Sequence, residues 1–589
     1  MKMILGFYSQ QLEGANRESV ERVVNSALKS LLQKLYNNKS LKINLHISGF
    51  LMEWIEINQP EINTLINTLV RKGQLELLSS SFYGSTLSLL PRSERSSHIE
   101  KTTTFIRKRY SKRPKGCWFY NQIWDSSYIS TMNICGLEYA VMSINPKNLS
   151  IKNEPFLMTK LGATNCIIPS NYDFALMMKN AFDEKENTEK YIEKINQIKI
   201  SKSSYMDFVM VNLDQIIYEG LDTVSIIDAI FNKYISQNYI PSSIESSGIM
   251  NKKEIKRGYL VPGIYGCDIN SEYTCPEEFV NKDKYLARLN GRLFALRLVI
   301  KNFVSDKYLK KELRNSLAKC VLPPTIFQKE YFQTYLWNLE RKIGEIEHIL
   351  VLNNCCFPLE MDIDFDMKKE YFLYGKSINA ILDQKGGTVC SLFYNTQKRN
   401  FQGNSEQSLF SDKFLINNKK INLSKAIYAV DIKDKRHSEF EFSFQYVKNK
   451  INFIVIKNYK FRSNTLNLSI KIKNLGNDTI KGNYNLMVPL SCFHFDNKKS
   501  EDYIEEEYKS FYFRRKDDFS STLFTLLSQN DPFSLWYKDF FVEVETPYSH
   551  KEDYRYTDLN LKWDIDIKAG AELSQGLIIK FEKNKEKRI

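Results

Sequence analysis

The chain has 589 residues, of which 43% are hydrophobic, 26% are charged and 13% are aromatic. This composition excludes a disordered chain, and the length requires two or three domains. The formal net charge of +14 comes from basic residues spread along the whole chain, so we expect no nucleic-acid partner despite the basic balance.

Strand-like and helix-like patterns alternate along residues 3–142. Short apolar runs predict strands, and these are Met3–Phe7, Lys42–Ile47, Leu75–Leu78, Cys117–Tyr120 and Glu138–Met142. Helical patterns lie between them, and these include a helix starting at Pro60, Ser93–Tyr110 and Ser126–Cys135. Strands that alternate with helices are typical of a parallel sheet with crossover helices. The length of this region favours a (β/α) barrel over a small open sheet.

The pattern is less regular after residue 142. Val209–Leu213 and Tyr259–Ile264 are predicted to be late barrel strands, with the helix Thr223–Ile235 between them. Residues 150–200 are predicted to form an insertion near the mouth of the barrel. We therefore assign residues 1–275 to a barrel domain.

The second half of the chain changes its period twice. Helical spacing predicts a bundle over residues 276–355, with the helices Tyr285–Val304, Tyr308–Cys320 and Thr325–Leu352. Alternating polar and apolar segments then predict an antiparallel β-sandwich over residues 356–589. Gly386-Gly387 is a predicted turn, and Asn474–Asp478 is predicted to be a hairpin-type turn. The predicted fold class is thus α/β followed by all-β.

Several absences narrow the classes of function. The ten cysteines contain no CxxC pair, which is typical of a reduced, cytoplasmic protein. We find no apolar run long enough for a signal peptide or a membrane span, so no membrane partner is expected. No His/Asp cluster has metal-ligand spacing, and we predict neither a metal nor a cofactor.

One strand end carries the main candidate for a catalytic position. Catalytic residues of a (β/α) barrel follow the C-terminal ends of its strands, and Asn121 follows the predicted strand Cys117–Tyr120. Its side chain is a neutral amide. Chemistry that needs an anionic group is therefore not expected from this residue.

Five stretches in sequence resemble glycoside hydrolase family 57, the α-amylase and 4-α-glucanotransferase group. They are GFYSQQLEG (Gly6–Gly14), LHISGFLMEWIE (Leu45–Glu56), GQLELLSSSFYGSTLSLLP (Gly73–Pro91), WFYNQIW (Trp118–Trp124) and MDIDFDMKKE (Met361–Glu370) before the Gly386-Gly387 pair. The resemblance implies a distorted seven-stranded (β/α) barrel, a helical segment and a β-sandwich. It also implies retaining cleavage or transfer of α-glucosidic bonds, which requires two carboxyl groups about 5–5.5 Å apart.

The residues at the implied catalytic positions depart from the family pattern. The nucleophilic Glu aligns with Asn121, and the neighbouring Arg aligns with Gln122. The second His of the first motif aligns with Gln10, and a Glu of the third aligns with Gly84. Asp214 is the candidate for the acid/base Asp, and the alternative is an ordinary loop carboxylate. An amide has no anionic oxygen for attack, so the resemblance implies an impaired enzyme.

The same resemblance implies a set of substrate-binding residues. They are Gln10, Gln11, Tyr83, Trp118, Tyr120, Gln122 and Trp124. Aromatic faces stack on sugars, and amides hydrogen-bond to hydroxyl groups. The alternative for the aromatic residues is packing within the barrel. The implied ligand is an α-glucan or maltooligosaccharide.

Other titratable residues near these motifs have structural interpretations. Asp125 is predicted to cap the helix that begins at Ser126, and Glu13 is predicted to be a solvated loop residue. His46 is expected in the core and His98 on the surface. Either acid remains a candidate for a relocated nucleophile.

The sequence leaves three alternative functions open. The first is a catalytically impaired relative that retains carbohydrate binding. The second is an active α-glucan hydrolase or 4-α-glucanotransferase with a relocated carboxylate. The third is a non-enzymatic scaffold that binds a protein partner. The sequence predicts no oligomeric state.

Overall fold

The computed structural model describes most of the chain. The described residues are 2–15, 17–145, 154–184, 186–197, 208–217, 221–235, 239–251, 255–266, 275–322, 333–353, 355, 360–375, 377–403, 408–434, 438–448, 450–462, 465–492, 504–505, 510–518, 520–545 and 550–583. The chain divides into two units. Unit 1 comprises residues 1–279, 321–331 and 544–551, and unit 2 comprises residues 280–320, 332–543 and 552–589.

Unit 1 alternates strands and helices. Its strands are β1 (Lys2–Ser9), β2 (Ile43–Ile47), β3 (Leu75–Leu77), β4 (Gly116–Trp118), β5 (Ile123–Trp124), β6 (Tyr139–Ser143), β7 (Phe156–Lys160), β8 (Ala163–Ser170), β9 (Phe208–Asn212), β10 (Ile240–Ser242), β11 (Lys256–Arg257) and β12 (Gly263–Ile264). Its helices are α1 (Arg17–Arg22), a π-helical segment (Val23–Leu28), α2 (Lys29–Asn37), α3 (Gly49–Asn58), α4 (Pro60–Arg71), α5 (Arg92–Tyr110), α6 (Tyr128–Ile134), α7 (Tyr172–Asp183), α8 (Thr188–Gln197), α9 (Thr223–Ile235) and α10 (Ile244–Ser247). Helix α11 (Pro276–Lys282) crosses the boundary between the units.

Parallel pairing dominates unit 1. Strand β1 pairs in parallel with β2, β9 and β10, and β2 pairs with β3. Strand β6 pairs in parallel with both β4 and β8. Ser79 bridges to Cys117, which links the end of β3 to β4. The Asn171 amide donates to the Phe208 carbonyl at 2.7 Å, which links the end of β8 to the start of β9. The predicted parallel sheet with crossover helices is therefore confirmed.

Side chains of β1 alternate between two apolar clusters. Met3, Leu5 and Phe7 pack with the surrounding helices. Ile4 and Tyr8 pack instead in a second apolar cluster. Its other members on or next to the parallel strands are Leu78, Trp118, Tyr139, Val141, Cys166, Ile168, Phe208 and Met210. A period of two with both faces buried is what a sheet enclosed by helices requires.

Two predictions within this unit are wrong. Tyr259–Ile264 is not a late parallel strand, because only Gly263–Ile264 is extended there, and β12 pairs antiparallel with β5. Residues 150–200 are not merely an irregular insertion, because β8 lies within the parallel sheet beside β6. The additional parallel partner of β1 is β10, which the sequence pattern did not indicate.

Unit 2 begins with helices and continues with strands. Its helices are α12 (Lys284–Asn302), α13 (Lys307–Ala318) and α14 (Gln333–Leu352). The predicted helix Thr325–Leu352 begins outside the described residues and is observed from Gln333 onward. Asp283 caps α12 by accepting hydrogen bonds from the Tyr285 and Leu286 amides.

The strands of unit 2 form antiparallel sheets. They are β13 (Glu360–Met361), β14 (Glu370–Tyr374), β15 (Ile378–Asp383), β16 (Thr388–Tyr394), β17 (Arg399–Asn400), β18 (Ser411–Ile416), β19 (Lys419–Asn422), β20 (Ala429–Ile432), β21 (Glu439–Lys448), β22 (Ile451–Arg462), β23 (Thr465–Asn474), β24 (Ile480–Leu490), β25 (Ile504–Glu505), β26 (Tyr512–Asp517), β27 (Thr522–Ser528), β28 (Ser534–Glu545), β29 (His550–Ile567) and β30 (Glu572–Lys583). Three sheets have the orders β13-β14-β15-β16-β17, β19-β18-β24-β29-β28-β25 and β20-β21-β22-β23-β30-β27-β26. One apolar cluster contains side chains from all three sheets.

The two predicted turns have different outcomes. Gly386-Gly387 joins β15 to β16, which pair antiparallel as a hairpin. Asn474–Asp478 joins β23 to β24, but these strands belong to different sheets, so the prediction of a hairpin is wrong. The side chain of Asn474 explains this turn, because it donates to the carbonyls of Asp478 and Ile567 at 2.8 and 2.9 Å.

No described helix combines the length and the apolar character that spanning a membrane demands.

Candidate functional site

The turn after β4 has an unusual backbone. Asn121 and Gln122 have φ values of 45° and 52°, so two successive non-glycine residues adopt the left-handed region. This conformation costs about 1–2 kcal/mol for each residue. The side chain of Gln122 compensates, because it donates to the Phe119 carbonyl at 2.9 Å and accepts from the Ser143 amide at 2.6 Å. Strain of this kind is concentrated at functional sites.

Asp214 follows the end of β9 in a short 3₁₀ turn. Its carboxylate accepts three hydrogen bonds, from Ser9 Oγ at 2.7 Å, the Gln10 amide at 2.7 Å and Gln11 Nε2 at 3.1 Å. Burial raises the pKa of Asp214, and these three hydrogen bonds act against the increase. The carboxyl group is thus held in one orientation by the loop that follows β1.

Gln10 connects the two candidate catalytic positions. Its backbone amide donates to Asp214 Oδ2, and its side-chain Oε1 accepts from the backbone amide of Asn121 at 3.4 Å. The structure therefore brings Asn121, Asp214 and Gln10 together, although they are far apart in the sequence. One of the two positions is a carboxyl group and the other is an amide.

A small pocket lies beside this bridge. It is lined by Tyr8, Gln10, Trp118, Asn121, Gln122, Ser143, Ser170, Ala175, Met210 and Gly266. Its cavity volume is about 20 Å³, which suits a water molecule or a single hydroxyl group of a larger ligand. No Asp or Glu is among the described residues that line it.

Two lining residues carry buried polar atoms without a hydrogen-bond partner among the described residues. These are the indole nitrogen of Trp118 and the hydroxyl group of Ser143. Buried polar atoms are nearly always hydrogen-bonded, so each such atom requires an explanation. Both residues line the pocket, so a ligand bound there is a candidate partner for these atoms.

The predicted aromatic binding residues are not all at the pocket. Trp118 lines it and packs against Tyr8 with ring centroids 4.6 Å apart. Trp124 is 1% exposed, and its indole donates to the Leu260 carbonyl at 3.2 Å within the core. Tyr120 is buried, with its ring 5.5 Å from that of His46. For these last two residues the contacts favour the packing alternative.

Tyr83 and Gln11 lie near the site, but neither is among the described residues that line the pocket. The ring of Tyr83 packs edge-on against His98 at 5.5 Å, and Lys101 donates to its hydroxyl group. Gln11 contributes instead through its hydrogen bond to Asp214. Of the predicted binding residues, Gln10, Trp118 and Gln122 line the pocket together with Asn121.

Neither alternative carboxylate is among the residues that line the pocket. Asp125 accepts hydrogen bonds from the amide and hydroxyl groups of Ser127, just before α6 begins. These contacts form a turn before the helix, whereas the N-cap residue of α6 is Ser127, which makes no side-chain cap hydrogen bond. The prediction that Asp125 caps this helix is therefore wrong, and the helix begins two residues later than predicted. Glu13 is exposed, as expected for a solvated loop residue.

The two histidines near the site are both buried. Burial lowers the pKa of His46 to about 4, and its Nδ1 lies 3.3 Å from the Leu78 carbonyl, which it contacts as a donor when neutral. His98 is 2% exposed and lies 3.0 Å from Ser85 Oγ, so the prediction of a surface position is wrong. The error arises because the third motif folds over this face of α5.

Gly84, which aligns with the Glu of the third motif, has no space for a larger side chain. Its φ is +66°, and a Cβ atom there would lie 2.1 Å from the Cδ2 atom of Leu12. A larger residue would require both a strained backbone and a displaced Leu12. The loop after β1 therefore occupies the space of that side chain.

Sequence reasoning missed several polar residues of the site. Ser9, Ser143, Ser170 and Asn212 are the last residues of β1, β6, β8 and β9. Ser143 and Ser170 line the pocket, Ser9 binds Asp214, and the side chain of Asn212 accepts from the Asp214 amide at 3.0 Å. The signal that was available is a polar residue directly after an apolar strand, since the ends of parallel strands meet at one edge.

Comparison with known proteins identifies relatives of this part of the chain. Residues 6–211 match the family model described as glycosyl hydrolase family 57. The chain is 26% identical over 195 residues to alpha-amylase 1 of Dictyoglomus thermophilum, covering 32% of this chain and 28% of that protein. It is 30% identical over 142 residues to the 4-alpha-glucanotransferase of Thermococcus litoralis, covering 24% of this chain and 21% of that protein. These alignments thus span less than a third of each relative.

A solved structure resembles the fold along the whole length. The crystal structure of the 4-alpha-glucanotransferase from Thermococcus litoralis superposes with a TM-score of 0.78 and covers 99% of this chain and 100% of that chain. The sequence identity in this superposition is 16%, so the similarity shows the fold alone.

Proposed function

The chain belongs to glycosyl hydrolase family 57, and from this we propose that it is an α-glucan-related protein whose hydrolytic site is impaired. The observation that carries the proposal is the bridge formed by Gln10. It joins an aspartate and an asparagine, which stand at the two positions that the family resemblance assigns to the carboxyl groups of retaining chemistry.

The proposed chemistry follows from the side chains at the site. Retaining hydrolysis begins when a carboxylate attacks the anomeric carbon while an acid protonates the leaving oxygen. Asp214, with its pKa raised by burial, suits the acid, but Asn121 has no anionic oxygen to attack with. Loss of a nucleophile typically lowers the rate by several powers of ten.

We also propose that the architecture is a closed barrel of seven parallel strands. Three observations support it. The parallel pairs run β9-β1-β2-β3 and β4-β6-β8, hydrogen bonds of Ser79 and Asn171 connect the two sets, and one interior cluster draws on both sets. In such a barrel the C-terminal strand ends surround the pocket. The antiparallel sheets of unit 2 support the proposal of a β-sandwich there.

Carbohydrate binding is the activity that the remaining site supports. Trp118 and Ser143 each have an unpartnered polar atom available to a sugar hydroxyl group, and Gln10 lines the same pocket. The cavity holds one hydroxyl group, and the rest of a sugar ring would lie outside it, so binding is expected to be weak.

Titration with maltoheptaose tests both parts of the proposal. We expect calorimetry to detect binding of the wild-type chain in the millimolar range, and product analysis to detect no hydrolysis or transfer above a buffer control. Gln10→Ala should weaken binding about twofold to tenfold, because it removes a polar lining group that contributes about 0.5–1.5 kcal/mol. Glu13→Gln is the matched control, since Glu13 is exposed in the same loop.

The other outcomes discriminate between the alternatives. Products that disappear in Asp214→Asn would establish an active enzyme with a relocated nucleophile. Heats equal to those of buffer dilution, with no products, would refute carbohydrate binding and leave the scaffold function.

A further inference from the structure

Three acidic side chains of unit 2 converge between β13 and β14. Asp362, Asp364 and Glu370 each offer a carboxylate oxygen, and these oxygens lie within 4.8 Å of one another. Asp366 completes a regular spacing in this segment, with acids at every second position and a glutamate four residues later. No metal site is predicted from the sequence, because no His/Asp cluster has metal-ligand spacing and this cluster contains no histidine.

Buried oxygens without partners provide an independent observation. Glu370 is 0% exposed, and its Oε1 has no hydrogen-bond partner among the described residues, whereas Oε2 accepts from the Ile363 amide at 2.7 Å. The side chain of Asp364 is 2% exposed, and neither of its oxygens accepts a hydrogen bond from the described part of the chain. A buried carboxylate oxygen without a partner is costly, so this arrangement requires a compensating positive group.

The protein's own cations compensate only in part. The nearest, Arg288 Nε, lies 3.4 Å from Asp364, but the same guanidinium donates to Asp383 at 2.9 Å and to Ser408 at 3.1 Å. Lys385 pairs with Asp366 at 3.0 Å.

Acidic side chains outnumber basic ones in this cluster. Five acids meet three basic side chains among the described residues here. The acids are Asp362, Asp364, Asp366, Glu370 and Asp383, and the bases are Lys284, Arg288 and Lys385.

We propose that Asp362, Asp364 and Glu370 bind one divalent cation of the calcium class. Carboxylate oxygens are the ligands that hard cations prefer, and Ca²⁺ accepts them at about 2.3–2.6 Å in a flexible geometry. Two oxygens bound to the same Ca²⁺ are then at most about 5 Å apart, which agrees with the observed separation. A cation also suits a cluster in which acidic side chains outnumber basic ones.

The cation would hold the loop between β13 and β14 in place. Glu370 is the first residue of β14, while Asp362 and Asp364 lie in the loop before it. The backbone amides of Asp366 and Met367 donate to Asp362, which already orients that carboxylate. Binding in the folded state alone raises stability by mass action.

Calcium titration of the full chain tests this proposal. After stripping with EDTA and desalting, we expect calorimetry to detect one Ca²⁺ per chain, and CaCl₂ to raise the melting temperature by at least about 2 °C. MgCl₂ at the same concentration should have a smaller effect, because Mg²⁺ requires near-octahedral geometry and retains its waters.

Glu370→Gln separates a metal ligand from a merely structural acid. Without calcium this variant should be at least as stable as the wild type, because it replaces a buried carboxyl group of which one oxygen has no hydrogen-bond partner among the described residues, but its affinity for Ca²⁺ should fall at least tenfold. Asp566→Asn is the matched control, since Asp566 is 61% exposed on β29, and it should keep the full response. Absence of Ca²⁺ binding to the stripped wild type, or an unchanged affinity in Glu370→Gln, would overturn the proposal.

Discussion

Asp214 gives the sharpest test of how the candidate site is held together. Replacement by alanine removes the acceptor of three donors, namely Ser9 Oγ, the Gln10 amide and Gln11 Nε2. Replacement by asparagine keeps one oxygen but places an NH₂ group opposite one of these donors. The two variants therefore differ in how many hydrogen bonds they break.

The expected magnitudes follow from these contacts. A hydrogen bond to a charged acceptor contributes about 1.5–3 kcal/mol, and relief of the buried charge offsets part of the loss. We expect Asp214→Ala to lower the free energy of unfolding by about 3–5 kcal/mol and Asp214→Asn by about 1–3 kcal/mol. Since 1 kcal/mol corresponds to about 2–4 °C in domains of 150–250 residues, the alanine variant should melt at least about 6 °C lower.

Thermal melting and hydrogen exchange provide the assay. The alanine variant should also exchange the Gln10 amide hydrogen faster, because that amide loses its acceptor. Asp173→Asn is the control, since Asp173 is exposed in the first turn of α7 and should change the free energy by less than about 0.5 kcal/mol. If Asp214→Ala melted with the wild type and the Gln10 peptide kept its protection, the proposed anchoring of the loop would be refuted.

Three further changes test neighbouring parts of the site. Gln122→Ala should lower the free energy of unfolding by about 1–3 kcal/mol in urea titration, because the Phe119 carbonyl and a buried amide of β6 lose their partner. Gly84→Ala should cost about 2–4 kcal/mol by the same measurement, since the new Cβ meets Leu12 and the backbone has a positive φ. Because burial lowers the pKa of His46 to about 4, the unfolded state binds more protons between pH 6.5 and 4, and stability should fall by up to about 3 kcal/mol as the pH drops through that window. An unchanged urea midpoint for Gln122→Ala or Gly84→Ala would contradict the contact described for that residue. A stability that does not change with pH, in the wild type as in a His46→Gln variant, would contradict the lowered pKa of His46.

The sequence predicted those strands whose apolar runs are flanked by segments with a clear helical pattern. Strands β1, β2, β3 and β9 agree with the predicted segments to within one or two residues, and α9 agrees at both ends. Strand β8 was missed because Ala163–Ser170 contains Pro169 and is preceded by an antiparallel partner rather than by a helix. Pairing across the sequence, as between β1 and β10, leaves no local signal.

The candidate site was predicted in part for the same reason. The turn after β4 and the position of Asp214 follow from strand ends, which are visible in the sequence. The bridge through Gln10 depends on a loop conformation that brings distant residues together, and nothing in the local pattern indicates it. The acidic spacing that ends at Glu370 was visible, but the burial of that residue was not.

The central claim is that a carboxyl group is missing at Asn121. The most direct measurement uses an α-glucosyl fluoride, whose leaving group needs no acid, with and without sodium azide. In azide, the external anion takes the place of the absent nucleophile, attacks the anomeric carbon and expels fluoride. We predict no fluoride release without azide and formation of a β-glucosyl azide with it. Fluoride release at an enzymatic rate without azide, with an α-configured product, would show a working nucleophile and contradict the account.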